Sequence, residues 1–98
     1  MILARRDCSK RVRGTRYTAV DLFAGCGGLS LGLEWAGFEV LLANEKHPDA
    51  CTTYRANHPH VDLLQGEIQD VTNDEFRRKI NSVLGDSDKL TLVAGGPP

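Results

Sequence analysis

The sequence has little of what would take it out of the ordinary globular class. Its three cysteines, Cys8, Cys26 and Cys51, show no CxxC pair and no Cys/His ligand spacing. An odd, scattered set of this kind fits reduced thiols better than a disulfide frame or a zinc site. No apolar run approaches the ~20 residues needed to span a membrane. Met1 to Arg16 carries charge but no apolar core of a secretory signal, so a cytoplasmic location is expected. Charge of one sign is also missing: the net value is −1, which argues against this piece alone being a strong nucleic-acid binder. There are no internal repeats, and no low-complexity segment beyond the N-terminal tail.

What is present fits one small domain at most, since the chain has 98 residues and a modest core is all it can bury. Arg5, Arg6, Lys10, Arg11, Arg13 and Arg16 crowd the first sixteen positions. A basic run there could touch phosphate, but the expected state is a solvated, flexible tail over residues 1–16. The histidines stand at 47, 58 and 60; His58-Pro59-His60 reads as a surface loop, and no metal is assigned.

Strands and helices alternate along the rest. Tyr17 to Phe23 is a β-prone run that ends at Gly25. A helix is expected from Leu29 to Ala36, with Leu29, Leu33 and Ala36 on one face and Gly37 stopping it. Phe38 to Ala43 reads as a second buried strand. Pro48 and Asp49 open a second helix carrying Ala50 and Tyr54, which Pro59 forbids from continuing. Val61 to Leu64 is a short third strand. Thr72 to Glu75 has the form of a capping box, and the helix after it lines up Phe76, Ile80 and Val83 or Leu84 before Gly85. Leu90 to Ala94 is a fourth strand, leading into Gly95-Gly96-Pro97-Pro98. The order β-α-β-α-β-α-β and the continuous apolar strands predict an α/β, partly Rossmann-like fold with a mostly parallel sheet. A sheet that stops at its fourth strand is expected to belong to a fragment or to half of a split protein.

In open α/β sheets, ligands bind at the carboxyl ends of the strands. The turn after the first strand offers Phe23, Ala24, Gly25, Cys26, Gly27 and Gly28. Its glycines let backbone amides approach a negatively charged group at a helix start. The segment Asn44-Glu45-Lys46 follows the second strand, about twenty residues past the first glycine, where an acidic side chain can accept both hydroxyls of a ribose. Gly66-Glu67-Ile68 follows the third: Glu67 can accept from an adenine amine and Ile68 can pack on its ring. Each piece alone is weak, and each has a bland reading as a tight turn or a solvated loop. Together they describe an adenosine-type pocket. Ser30 occupies the last glycine position of the dinucleotide fingerprint, and no P-loop lysine follows the glycines. S-adenosylmethionine, with a carboxylate, a ribose diol and an adenine but no phosphate, suits these parts better.

At this point a resemblance enters. Asp21-Leu-Phe-Ala-Gly-Cys-Gly-Gly28 resembles the first signature of the cytosine-5 DNA methyltransferases. Asn44-Glu45, Pro48-Asp-Ala50 and Tyr54-Arg-Ala-Asn-His-Pro59 resemble the segment after it, and Gly95-Gly-Pro-Pro98 the start of the fourth signature. The likeness covers roughly Thr18 to Pro98, the front of an adenosylmethionine-binding domain spanning residues 17–98. It implies that Phe23 packs on the cofactor, that Gly25, Gly27 and Gly28 line its amino-acid end, and that Glu45 holds the ribose. Lys46 and Glu67 depart from the family's usual aromatic or apolar residue and aspartate. Pro97 and Pro98 lead into the catalytic loop, and Gly96 and Pro98 count with Ala24, Cys26, Lys46, Glu67 and Ile68 among the expected cofactor-binding residues. The implied reaction transfers a methyl group to carbon 5 of a flipped-out cytosine in DNA, through a thiolate added at carbon 6. Neither that thiolate nor the acid that assists it is in this chain. Cys26 belongs to the glycine turn and is not the nucleophile. The expected partners are DNA, reached through a portion this chain lacks, and a complementary methyltransferase subunit; the chain alone is expected to be inactive. The alternatives are a non-catalytic adenosylmethionine or nucleotide sensor and a dehydrogenase-like dinucleotide domain.

Overall fold

A computed structural model describes residues 17–84 and 89–96. The basic tail, the Gly85 helix stop and the Pro97-Pro98 pair lie outside the described residues. The elements are β1 (Thr18–Leu22), α1 (Gly28–Trp35), β2 (Glu39–Glu45), α2 (Pro48–Asn57), β3 (Asp62–Gln65), a 3-10 turn (Ile68–Asp70), α3 (Asn73–Val83) and β4 (Leu92–Gly95). The sheet is parallel throughout, in the order β3-β2-β1-β4. This is the α/β architecture expected from the alternating pattern.

The order of the strands follows from which of them can be apolar on both faces. Thr18 to Asp21 and Val40 to Glu45 are buried, so β1 and β2 take the interior positions. The shorter β3 and β4 form the edges, where half-exposed side chains are tolerated. One residue, Leu41, is inserted between the pairs Ala19–Val40 and Val20–Leu42, a bulge that lengthens β2 relative to β1. Right-handed crossovers from β1 to β2 to β3 place α1 and α2 on one face. The return from β3 to β4 beyond β1 takes α3 to the other. The core gathers Ala19, Val40, Ala43, Tyr54 and Val61, with Leu33, Phe38, Leu63 and Leu92 packed around it. Leu42 is fully buried, so truncation to alanine should cost ~2–5 kcal/mol.

The helix α1 departs from expectation in the face it buries. Leu29 and Ala36 are exposed, and Ser30 is the buried residue. The cause is a polar network beneath the helix. Ser30 donates its hydroxyl to Asp21 Oδ2 at 2.6 Å, and its oxygen lies 2.7 Å from the Tyr54 hydroxyl. Asp21 at the end of β1 and Tyr54 on α2 are both fully buried, so the network joins strand and helices where an apolar stripe would have done so. Helix starts were better legible. Pro48 opens α2 with Asp49 in its first turn. Thr72 caps α3, accepting the Glu75 N–H at 3.1 Å.

Candidate functional site

The second strand runs further than its apolar segment suggests, and this builds the site. Asn44 and Glu45 are its last two residues, not a solvated loop, and both are buried. Asn44 bridges outward from β2 to its neighbours. Its carbonyl accepts the Ala24 N–H at 2.8 Å, and its side-chain amide donates to the carbonyls of Leu64 and Gly66 at 2.9 and 3.0 Å. The Glu45 carbonyl accepts the Gly66 N–H at 2.9 Å. The turns after β1 and β3 are therefore both fastened to the end of β2.

The Glu45 carboxylate is fixed in the same way. Oε1 accepts the backbone N–H of Gly25 at 2.8 Å and Oε2 that of His47 at 3.0 Å. Burial resists its ionisation, but the N–H groups of His47, Gly25 and Lys46 outweigh this and hold the carboxyl below the usual range. Each oxygen of a carboxylate has capacity for a further donor. A pair of neighbouring hydroxyls is the complementary group.

Around Glu45 lies a cleft of about 260 Å³, near the lower end of the ~300–1,000 Å³ common for small-molecule sites. Phe23, Gly25, Lys46, Glu67, Ile68 and Gly96 line it, joined by Asn44, His47, Ala50 and Gly66, which the sequence reading did not single out for binding. Phe23 stands just beyond β1 with φ of 56°, an uncommon conformation for a bulky residue. Its ring is left 40% exposed at the cleft wall. Strain of this kind, of order 1–3 kcal/mol, clusters at ligand clamps. Lys46 and Glu67, both near half exposed, approach each other to 3.6 Å at the lining. Ile68 begins the 3-10 turn instead of lying in an open loop.

Ala24, Cys26, Gly27 and Gly28 are not among the lining residues. Ala24 is buried, and Cys26 is exposed. Gly27 has φ of 103°, and a Cβ placed on it would stand 2.6 Å from the His58 ring. Its lack of a side chain serves the packing of His58. That histidine is buried, not a surface loop residue as expected, and its Nε2 lies 3.2 Å from the Gly27 carbonyl. Pro98 lies outside the described residues.

Comparison with known proteins agrees with this architecture. The family model for C-5 cytosine-specific DNA methylase matches residues 17–98. The chain belongs to that family. Among the relatives of this cytosine-5 methylase chain is the Type II methyltransferase M1.HphI of Haemophilus parahaemolyticus. The two are 44% identical over 81 residues, which is 83% of this chain and 20% of that protein. Type II methyltransferase M.XorII of Xanthomonas oryzae pv. oryzae is 42% identical over 84 residues, 86% of this chain and 19% of its own length. A crystal structure described as a DNA modification methyltransferase encoded within an E. coli prophage superposes with a TM-score of 0.73 at 30% identity, covering 84% of this chain and 22% of that one. The chain thus spans about a fifth of the length of these relatives. Among the described residues, no helix is long and apolar enough to cross a membrane.

Proposed function

We propose that the cytosine-5 methylase chain is the cofactor-binding front of a DNA methyltransferase domain over residues 17–98, with S-adenosylmethionine held in the strand-end cleft. The observation that carries this reading is the Glu45 carboxylate, fixed by two backbone N–H groups at a cleft also lined by an aromatic ring, Phe23, and a second acid, Glu67. The residues present fit the cofactor. Glu45 accepts the ribose diol, Ile68 and Phe23 supply apolar faces for the adenine and its attached chain, and Glu67 accepts the adenine amine through the oxygen not facing Lys46. Bound there, the cofactor supplies the methyl group. Gly25 and Gly96 bound the cleft from the turns after β1 and β4.

The whole protein, on this reading, transfers a methyl group to carbon 5 of cytosine in DNA. Its thiolate and its reader of bases come from polypeptide beyond these residues, in the same chain or in a complementary subunit, and it acts in the cytoplasm. The test is complementation. This chain is mixed with a polypeptide beginning near the nucleophilic cysteine, and methyl transfer from labelled S-adenosylmethionine to DNA is measured. Transfer by the mixture and by neither part is expected. Absence of transfer with every complementing piece, and with the extended reading frame, contradicts the proposal.

A further inference from the structure

Glu34, near the end of α1, meets His58 and His60, which flank Pro59 between α2 and β3. One donor atom from each lies within 4.8 Å of the others. None of the three lines the strand-end cleft. We propose that these side chains form a binding site for a divalent transition-metal ion of the zinc, cobalt or nickel class.

The tautomer of His58 is the first support. Its Nε2 faces the Gly27 carbonyl, which can only accept, so Nε2 carries a proton and the neutral ring has its lone pair on Nδ1. That Nδ1 is buried, on a side chain only 5% exposed, and has no hydrogen-bond partner among the described residues. A buried lone pair without a donor is costly unless something electropositive occupies its direction. Metal-ligating histidines characteristically donate their other N–H to a carbonyl or carboxylate, which is the arrangement the Gly27 carbonyl provides.

Spacing is the second support. Donors bound ~2.0–2.1 Å from a tetrahedral zinc stand roughly 3.4 Å apart. Nδ1 of His58 lies 3.5 Å from Oε1 of Glu34. Nε2 of His60 lies 2.5 Å from the other oxygen, Oε2, of the same carboxylate, so this exposed side chain would swing away by about 1 Å to admit the ion. Two imidazoles and a carboxylate are borderline ligands suited to zinc, cobalt or nickel more than to magnesium or calcium, which prefer oxygen alone. Such an ion would tie α1 to the connection between α2 and β3. Through His58 it would also bear on the glycine-rich turn.

The test titrates the untagged, reduced, metal-free chain with Co²⁺ and then displaces it with Zn²⁺. A saturable one-to-one visible absorption of low-symmetry Co²⁺, lost on adding Zn²⁺, is expected. Glu34→Gln and His60→Ala should each weaken binding by roughly tenfold or more, a loss comparable to or larger than that for outer-shell partners. His60 is exposed, so its replacement leaves the fold intact where a change at buried His58 risks unfolding. Circular dichroism of both variants verifies this. Absence of the Co²⁺ absorption, or binding unchanged in both variants as it would be for capture by the exposed Cys26 thiol, overturns the proposal.

Discussion

Gly25 donates its backbone N–H to Oε1 of Glu45 at 2.8 Å, fastening the turn after β1 to the end of β2. The same carboxylate takes the His47 N–H on its other oxygen. Glu45 thus holds the backbone of two segments while facing the cleft.

Replacing Glu45 with glutamine should separate these roles. The amide keeps one acceptor and turns its NH₂ toward a backbone N–H, leaving a buried donor unpaired. A loss of ~1–3 kcal/mol in urea unfolding is expected from that mismatch. The folded-state pKa of Glu45 is depressed, so its stabilisation is fully present above the unfolded carboxylate value and is lost as pH falls through the folded one. The difference between wild type and Glu45→Gln should shrink on that acidic side.

At Gly27 the expected cost is larger than at Gly25. Both have positive φ, 103° and 58°, but a Cβ on Gly25 meets nothing within 4 Å, whereas on Gly27 it strikes the His58 ring. Gly25→Ala should cost ~1–2 kcal/mol for the left-handed backbone alone. Gly27→Ala adds an overpacking cost of ~1–3 kcal/mol. Chemical denaturation of the two variants checks the order.

Under α1, the Asp21–Ser30–Tyr54 network is predicted to depend more on its middle member than on its end. Tyr54→Phe removes one hydrogen bond and should cost ~0.5–1.5 kcal/mol. Ser30→Ala leaves both the buried Asp21 carboxylate and the Tyr54 hydroxyl without that partner, for ~1–3 kcal/mol or more. Equal losses in thermal unfolding would contradict the arrangement.

Asp21 should give the fold an acid-side gain in stability. Its burial raises the folded-state pKa, opposed by the hydrogen bond from Ser30, and its Oδ1 is buried without a partner among the described residues. Because the folded value lies above the unfolded one, the ionised group destabilises the fold at higher pH. That penalty is relieved as pH falls through the folded value towards the unfolded one. The sign is opposite to that of Glu45. Unfolding midpoints followed from neutral to acidic pH should show this gain in wild type and its loss in Asp21→Asn; identical slopes would refute it.

The α/β class and the order of elements were legible because each strand has a short apolar centre and the helices between them carry capping, proline or glycine signals at their ends. The places that were not legible share a cause. Asn44 and Glu45 look like loop residues in sequence, yet they extend β2 because backbone groups of neighbouring turns satisfy their side chains. Ser30 replaces an apolar contact because the buried side chains of Asp21 and Tyr54 satisfy its hydroxyl. His58, beside the turn signal of Pro59, reads as surface; its burial depends on the room left by Gly27, a contact between residues 31 positions apart. Of the candidate site residues, Phe23, Gly25, Glu45, Lys46, Glu67, Ile68 and Gly96 share the lining of one cleft. Within the glycine turn, Gly27 makes room for the buried His58 ring, a contact that the spacing of the glycines does not reveal.

Cofactor recognition in the strand-end cleft depends most directly on Glu45. Calorimetric titration of the chain with S-adenosylmethionine, with NAD as comparator, measures it. Saturable binding of the former alone is expected, weakened by about 30-fold in Glu45→Ala, the equivalent of ~2 kcal/mol for a charge-assisted contact to the ribose. Affinity unchanged in a Glu45→Ala protein that circular dichroism shows to be folded would contradict it.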